Sequence, residues 1–244
     1  MIHRYRSLDA ALIVGTAHTL GRRIGERFPQ SGLSRVAVEL AQVAEETSAR
    51  IAALRQPRWG IRLAPGVVVL LLLTVAAFAI AAMRRPASLT DLGAFVQLLE
   101  SAINDVVFLG IAIAFLVTIE GRLRRKEALA ALHELRSLVH IVDMHQLTKD
   151  PDQFLSDRAA TTSSPERLLT PGQLTRYLDY CSEMLSIAGK VAALYAQQLD
   201  DPVVLAAVNE LEELTTGLSS KIWQKIVILG TTVRAPLGHA GHPG

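Results

Sequence analysis

Between Val96 and Lys126 the chain reads VQLLESAINDVVFLGIAIAFLVTIEGRLRRK. The uncharged part, Val106–Ile119, is 14 residues long, about 21 Å of helix, which is too short to cross a hydrocarbon core of about 30 Å. Carrying the helix back to Val96 supplies the missing length but brings Glu100, Asn104 and Asp105 into the apolar frame. The basic cluster Arg122, Arg124, Arg125 and Lys126 follows at once, as it does where a span leaves the bilayer. This stretch therefore predicts a membrane span over about residues 98–119, with carboxylates near one end.

A second segment supports that reading. Leu63–Met83, LAPGVVVLLLLTVAAFAIAAM, holds 21 residues without a charge, about 31 Å of helix. A helix apolar all round over that length is rare in a soluble domain. The two segments together predict a transmembrane hairpin within residues 61–120. Its orientation follows from Arg and Lys. Arg50, Arg55, Arg58 and Arg62 precede the first span, Arg84 and Arg85 lie between the spans, and the 122–126 cluster follows the second. Positive residues stay inside, so both termini are expected in the cytoplasm of a cell whose inner, cytoplasmic membrane holds the hairpin.

Bulk composition agrees with an all-α chain. The 244 residues have a mean hydropathy of +0.30 with only 5% aromatics, and Ala and Leu favour helices. A single cysteine, Cys181, excludes an intrachain disulfide and fits a reducing compartment. The net charge of +2 conceals a split, because residues 150–220 carry eleven acidic against four basic side chains. The basic excess lies around the apolar segments instead. The start of the chain has a short apolar run and no small-residue cleavage site, so it is expected to be retained.

Outside the hairpin the helical period recurs. Residues 1–60 are expected to hold cytoplasmic helices, a weak one over 7–26 interrupted by Gly15, Gly21 and Gly25, and a firmer one over 31–55. The firmer helix has Leu33, Val36, Leu40, Val43, Thr47, Ile51 and Leu54 on one face, and Ser31 or Ser34 as cap. The second span meets no proline before Pro151, so one helix is expected from about Asp91, capped by Thr90, to Leu147. Its 121–148 part bears a coiled-coil seam of Ala128, Leu132, Leu135, Val139 and Val142. Residues 149–171 read as a linker. The 172–229 region reads as an antiparallel helix pair, its second member capped by Asp201 with Pro202 in the first turn. The tail, 230–244, is expected to be disordered. The sum is a two-span hairpin whose second span continues into a long helix of a cytoplasmic bundle.

Candidate functional groups are few. Glu100 and Asn104, like Ser101 and Asp105, are four apart and share a helix face; in an oligomer they could ring a pore mouth and attract cations. The 17 residues from Asp105 to Arg122, about 26 Å of helix, favour instead a place among the headgroups at the outer surface, with a polar contact between helices as a third reading. Arg122, Arg124, Arg125 and Lys126, with Arg58 and Arg62, could contact anionic lipid headgroups. His133, His140, His145 and Asp143 are spaced for a solvated face rather than a metal ion. No catalytic, cofactor-binding or metal signature is present, and a juxtamembrane basic patch without interleaved aromatics points away from nucleic acid. The order of elements is similar in outline to the mitochondrial calcium uniporter family, but that family's WDIMEP motif has no counterpart in ESAINDVV at 100–107, so no site residue follows from it. The expected function is a non-enzymatic scaffold, sensor or regulator. It would couple the membrane to the bundle as a homo-oligomer, with a possible cytoplasmic protein partner. The alternative is an oligomeric two-span cation channel with an acidic outer mouth.

Overall fold

In a computed structural model, residues 6–55, 92–149, 151 and 169–234 are described, together with isolated positions between 66 and 80. Among them the chain is all-helical, with five helices and no strand. These are α1 (Ala10–Arg27), α2 (Gly32–Arg55), α3 (Leu92–Leu147), α4 (Pro171–Gln198) and α5 (Pro202–Arg234). The expected first span at 63–83 lies largely outside the described residues; Gly66, Val69, Leu70, Leu73, Thr74, Ala77 and Ile80 within it are helical. The expected cap Thr90 and most of the linker also lie outside.

The chain divides into two units, one made of residues 1–53 and 127–244, the other of 54–126. The first is a helical bundle, and one packing rule builds it. Buried positions fall at alternating spacings of four and three on every helix. They are Ile13, Ala17, Leu20 and Ile24 on α1, and Leu33, Ala37, Leu40, Ala44, Thr47 and Ile51 on α2. On α3 they are Ala128, Leu132, Leu135, Val139, Val142 and Gln146. The α4 seam runs Leu174, Leu178, Cys181, Leu185, Ala188, Ala192 and Tyr195, and the α5 seam Val204, Val208, Leu211, Thr215, Leu218, Ile222 and then, across the half-buried Lys225 and Ile226, Leu229. Such a heptad stripe keeps one face turned toward its neighbours, which is how antiparallel and parallel helices interdigitate in bundles. Among the described residues Thr47, Gln146 and Thr215 are the buried polar ones, and each occupies a seam position.

Polar ties give the directions. Leu8 N donates to Gln197 Oε1 at 2.8 Å, and the Phe28 ring meets Tyr177 edge-on at 5.4 Å, so α1 and α4 are antiparallel. On α2 and α3, Arg50 reaches Glu134 at 3.5 Å while Gly32 lies under the His145 ring, so these two are antiparallel as well. Arg136 meets Glu210 at 3.1 Å and Lys225 meets Gln146 at 2.7 Å, so α3 and α5 are parallel. Tyr195 donates to Thr47 at 3.5 Å, which places the C-terminal ends of α2 and α4 together. The chain therefore leaves the bundle after Ala53 and re-enters before Glu127 at the same end.

Local signals set the helix ends. Asp9 accepts from the amides of Ala11 and Leu12 at the start of α1. Ser31 Oγ accepts from Ser34 N at 3.1 Å. Thr170 and Gln173 form a capping box with Pro171 in the first turn. Asp201 Oδ1 accepts from Val203 N at 3.0 Å and Val204 N at 3.3 Å. Asp201→Ala is expected to cost about 1 kcal/mol, lowering the bundle's midpoint by about 2–4 °C, read as the loss of helical circular dichroism on heating.

Two boundaries differ from the expectation. The helix over 7–26 is continuous despite its glycines, and a Cβ on Gly21 would stand 3.7 Å from the Ala37 carbonyl oxygen, an ordinary contact that places this turn of α1 against α2. The last helix does not end at Leu229 but runs to Arg234: a single glycine weakens a helix without ending it, and the Thr231 hydroxyl donates back to the Ile228 carbonyl at 2.8 Å. Residues 235–244 lie outside the described ones.

Candidate functional site

Among the described residues α3 is the one helix long and apolar enough to cross a membrane, and its apolar window is not buried within the chain. Val106, Phe108, Ile111 and Phe115 are each more than half exposed. Exposed apolar side chains in such number are costly in water and ordinary in lipid.

Glu100, Asn104 and Asp105 stand on this helix and are exposed, as is Ser101. Their spacing aligns them along one side. The structure brings no third carboxylate or cation to them among the described residues, and no cluster of three or more His, Cys, Asp or Glu side chains is assembled there. From Asp105 to Arg122 is 17 residues, about 26 Å of helix.

The basic cluster is not uniform. Arg122 and Lys126 are exposed and Arg125 partly so. Arg124 turns back one turn and pairs with Glu120, both being largely buried, and its Nε is enclosed without a partner. Arg122 and Lys126 are therefore presented outward, while Arg124 is engaged with a carboxylate. Arg58 and Arg62 lie outside the described residues.

Along the bundle part of α3 the groups first weighed as metal ligands separate. His133 and His140 are exposed, and His145 covers Gly32. Burial, with Arg35 and Lys149 nearby, holds the His145 imidazole below its ordinary pKa, so it is neutral at pH 7. Asp143 accepts from Gln146 Nε2 at 2.6 Å. Gln146 in turn accepts from Lys225 Nζ, through its carbonyl O at 3.0 Å and its Oε1 at 2.7 Å. Lys225 thus closes the C-terminal end of α3, where carbonyls lack helical donors and a cation is favoured. At the other end Arg50 bridges Glu46 and Glu134. α3 is held at both ends of its bundle segment by charged groups on different helices, and spacing along α3 alone does not reveal these partners.

Cys181 is fully enclosed on α4. Burial pushes its thiol up to about 12 and raises the Tyr177 phenol one turn away. In the unfolded chain the thiol ionises near 9, so the folded form binds the proton more tightly. Stability is then fully present below pH 9 and is lost as pH climbs from 9 toward 12. The melting temperature is expected to fall over that window and to fall less steeply in Cys181→Ala; a thiol reagent at pH 7.5 should leave the native wild-type chain unmodified.

Comparison of the chain with protein-family models, with curated proteins and with solved structures gives no match.

Proposed function

We propose that the chain is a non-enzymatic, two-span membrane protein with both termini cytoplasmic. It would act as an oligomeric scaffold, sensor or regulator in which α3 links the membrane to the helical bundle. One observation carries this reading: the chain leaves the bundle and returns to it at the same end. A segment that departs and comes back to one face of a domain crosses a bilayer an even number of times, or not at all. With α3 apolar and exposed over a membrane-spanning length, the even count requires a partner crossing within residues 54–91. Leu63–Met83 is the uncharged stretch of that length in the interval.

The scaffold reading rests on what holds α3. Lys225 at its end and Arg50 along its length tie it to α5 and α2, so a shift of α3 along its axis must strain charged contacts on two neighbours. The partners are the bilayer with its anionic headgroups, further copies of the chain, and a cytoplasmic protein that reads the bundle.

A channel is the second reading, favoured by the exposed Glu100, Asn104 and Asp105 on one side of an apolar helix. Cation flux into liposomes carrying the purified protein separates the two. The scaffold reading expects flux at the level of protein-free vesicles for wild type and for Glu100→Gln with Asp105→Asn alike. A wild-type flux that the double variant abolishes would replace the scaffold by a pore.

A further inference from the structure

A groove of about 560 Å³ lies over the middle of α4, between α1 and α5. That volume falls in the range of small-molecule sites. Its apolar lining comes from three helices: Leu12 and Ile13 on α1, Ile187 on α4, and Trp223 and Ile226 on α5. Leu12 and Trp223 are 69% and 63% exposed, so two large apolar side chains stand open over a hollow. The groove belongs to the bundle alone and does not depend on the membrane reading.

The charges in it are not equivalent. Glu183 accepts from Arg23 at 2.9 Å, and Asp179 is paired with Arg176 at 3.6 Å. Both carboxylates are thus compensated. Lys190 meets no carboxylate among the described residues; its Nζ donates to Ser186 Oγ at 2.6 Å and to the Ser186 carbonyl at 3.3 Å. Ser182 and Trp223 line the same space. The uncompensated charge is therefore positive. A hollow with an ammonium that meets no carboxylate at one end, and with the apolar side chains Leu12, Ile13, Trp223 and Ile226 of α1 and α5 facing the more polar α4 side, is complementary to a molecule with an anionic head and an apolar body. From Lys190 to Asp179 the floor of the groove is about 16 Å of helix, enough for an acyl chain of moderate length laid along it.

We propose that this groove binds a single-chain anionic amphiphile, its head on Lys190 and Ser186 and its tail against Ile187, Ile226, Leu12 and the Trp223 ring. The head chemistry is shared by a free fatty acid and by a single-chain anionic lysolipid drawn from a membrane, and the test distinguishes them.

The chain holds two tryptophans, so Trp59→Phe leaves Trp223 as the sole indole. In this background the protein is placed in discs of zwitterionic lipid and its emission is titrated with a brominated dodecanoate, whose bromine quenches an indole on contact. Saturable quenching is expected, with apparent affinity reduced about tenfold by Lys190→Gln and retained by Lys190→Arg. Brominated dodecanol, lacking the charge, should quench as weakly in wild type as in Lys190→Gln. If discs made with a brominated anionic lysolipid quench without added dodecanoate, and Lys190→Gln relieves it, the bound amphiphile is a membrane lysolipid; if they do not, it is a free fatty acid. Quenching that grows without saturation, or that is the same for acid, alcohol and Lys190→Gln, overturns the proposal. So does a Trp223 emission that shifts with protein concentration and ignores every amphiphile, which would assign the groove to a second copy. Unchanged circular dichroism of the Lys190 variants confirms that a lost signal reports binding and not folding.

Discussion

Ile111→Arg is expected to keep the chain from integrating into a bilayer. The substitution exchanges a residue that favours the middle of a span for one that opposes it by about 3 kcal/mol. Ile111 lies six residues past Asp105, and 62% of it is exposed. Val38 on α2 is equally exposed at 62%, and in a bundle surrounded by water an arginine there should cost no more than about 0.5 kcal/mol. The pair therefore separates two meanings of one exposure. Alkaline extraction of membranes should leave wild type and Val38→Arg in the pellet and release Ile111→Arg into the supernatant. Retention of all three would mean that the exposed apolar face of α3 is not held by lipid.

Leu185→Ala should give the largest loss of bundle stability among single truncations. Leu185 is fully enclosed at the centre of the α4 seam, and α4 is the helix with the longest run of buried positions. Removing a buried leucine costs about 2–5 kcal/mol, the lost transfer energy plus the cavity left behind. For a unit of this size that corresponds to a fall of roughly 5–15 °C in the midpoint. Leu205, on the edge of the α5 seam and only partly buried, should cost well under half as much when cut to alanine. A flat response at Leu185 would mean that α4 is not central to the core.

Much of this architecture is legible in the residues because burial on a helix is a periodic, nearly binary property. Ala128, Leu132, Leu135, Val139 and Val142 announce the α3 seam by spacing alone, and all five are enclosed. The α5 seam is harder to read because a polar residue, Thr215, interrupts it. The apolar stripe through Leu205 then looks as good as the true one through Val204, which is fully buried. Thr215 is tolerated there because its hydroxyl donates to the Glu212 carbonyl at 3.0 Å within its own helix, so no donor is stranded. Gln146 is buried for a related reason, with its hydrogen-bonding capacity met by Asp143 and Lys225. A polar seam residue that finds partners in one register only also helps fix that register.

The candidate sites divide along the same line. Glu120 and Arg124 meet at the i, i+4 spacing that sequence exposes directly. Glu100, Asn104 and Asp105 share a face for the same reason. The groove over α4 could not be read in advance, because Leu12, Lys190 and Trp223 are brought together only by the packing of α1 onto the α4–α5 pair, far from it in sequence. An exposed tryptophan in a helix otherwise rich in apolar residues looks like one more core position until the neighbouring helices are placed.

The central claim is that residues 54–126 form a hairpin through the membrane with the whole bundle on one side. An impermeant thiol reagent applied to intact cells tests it, since the buried Cys181 should not react and the native chain serves as its own control. Ser88→Cys, between the two apolar segments, should be labelled in intact cells. Asn209→Cys, on the exposed face of α5, should be labelled only after the cells are opened. Labelling of Asn209→Cys in intact cells, or protection of Ser88→Cys until lysis, would contradict the two-span arrangement with a cytoplasmic bundle.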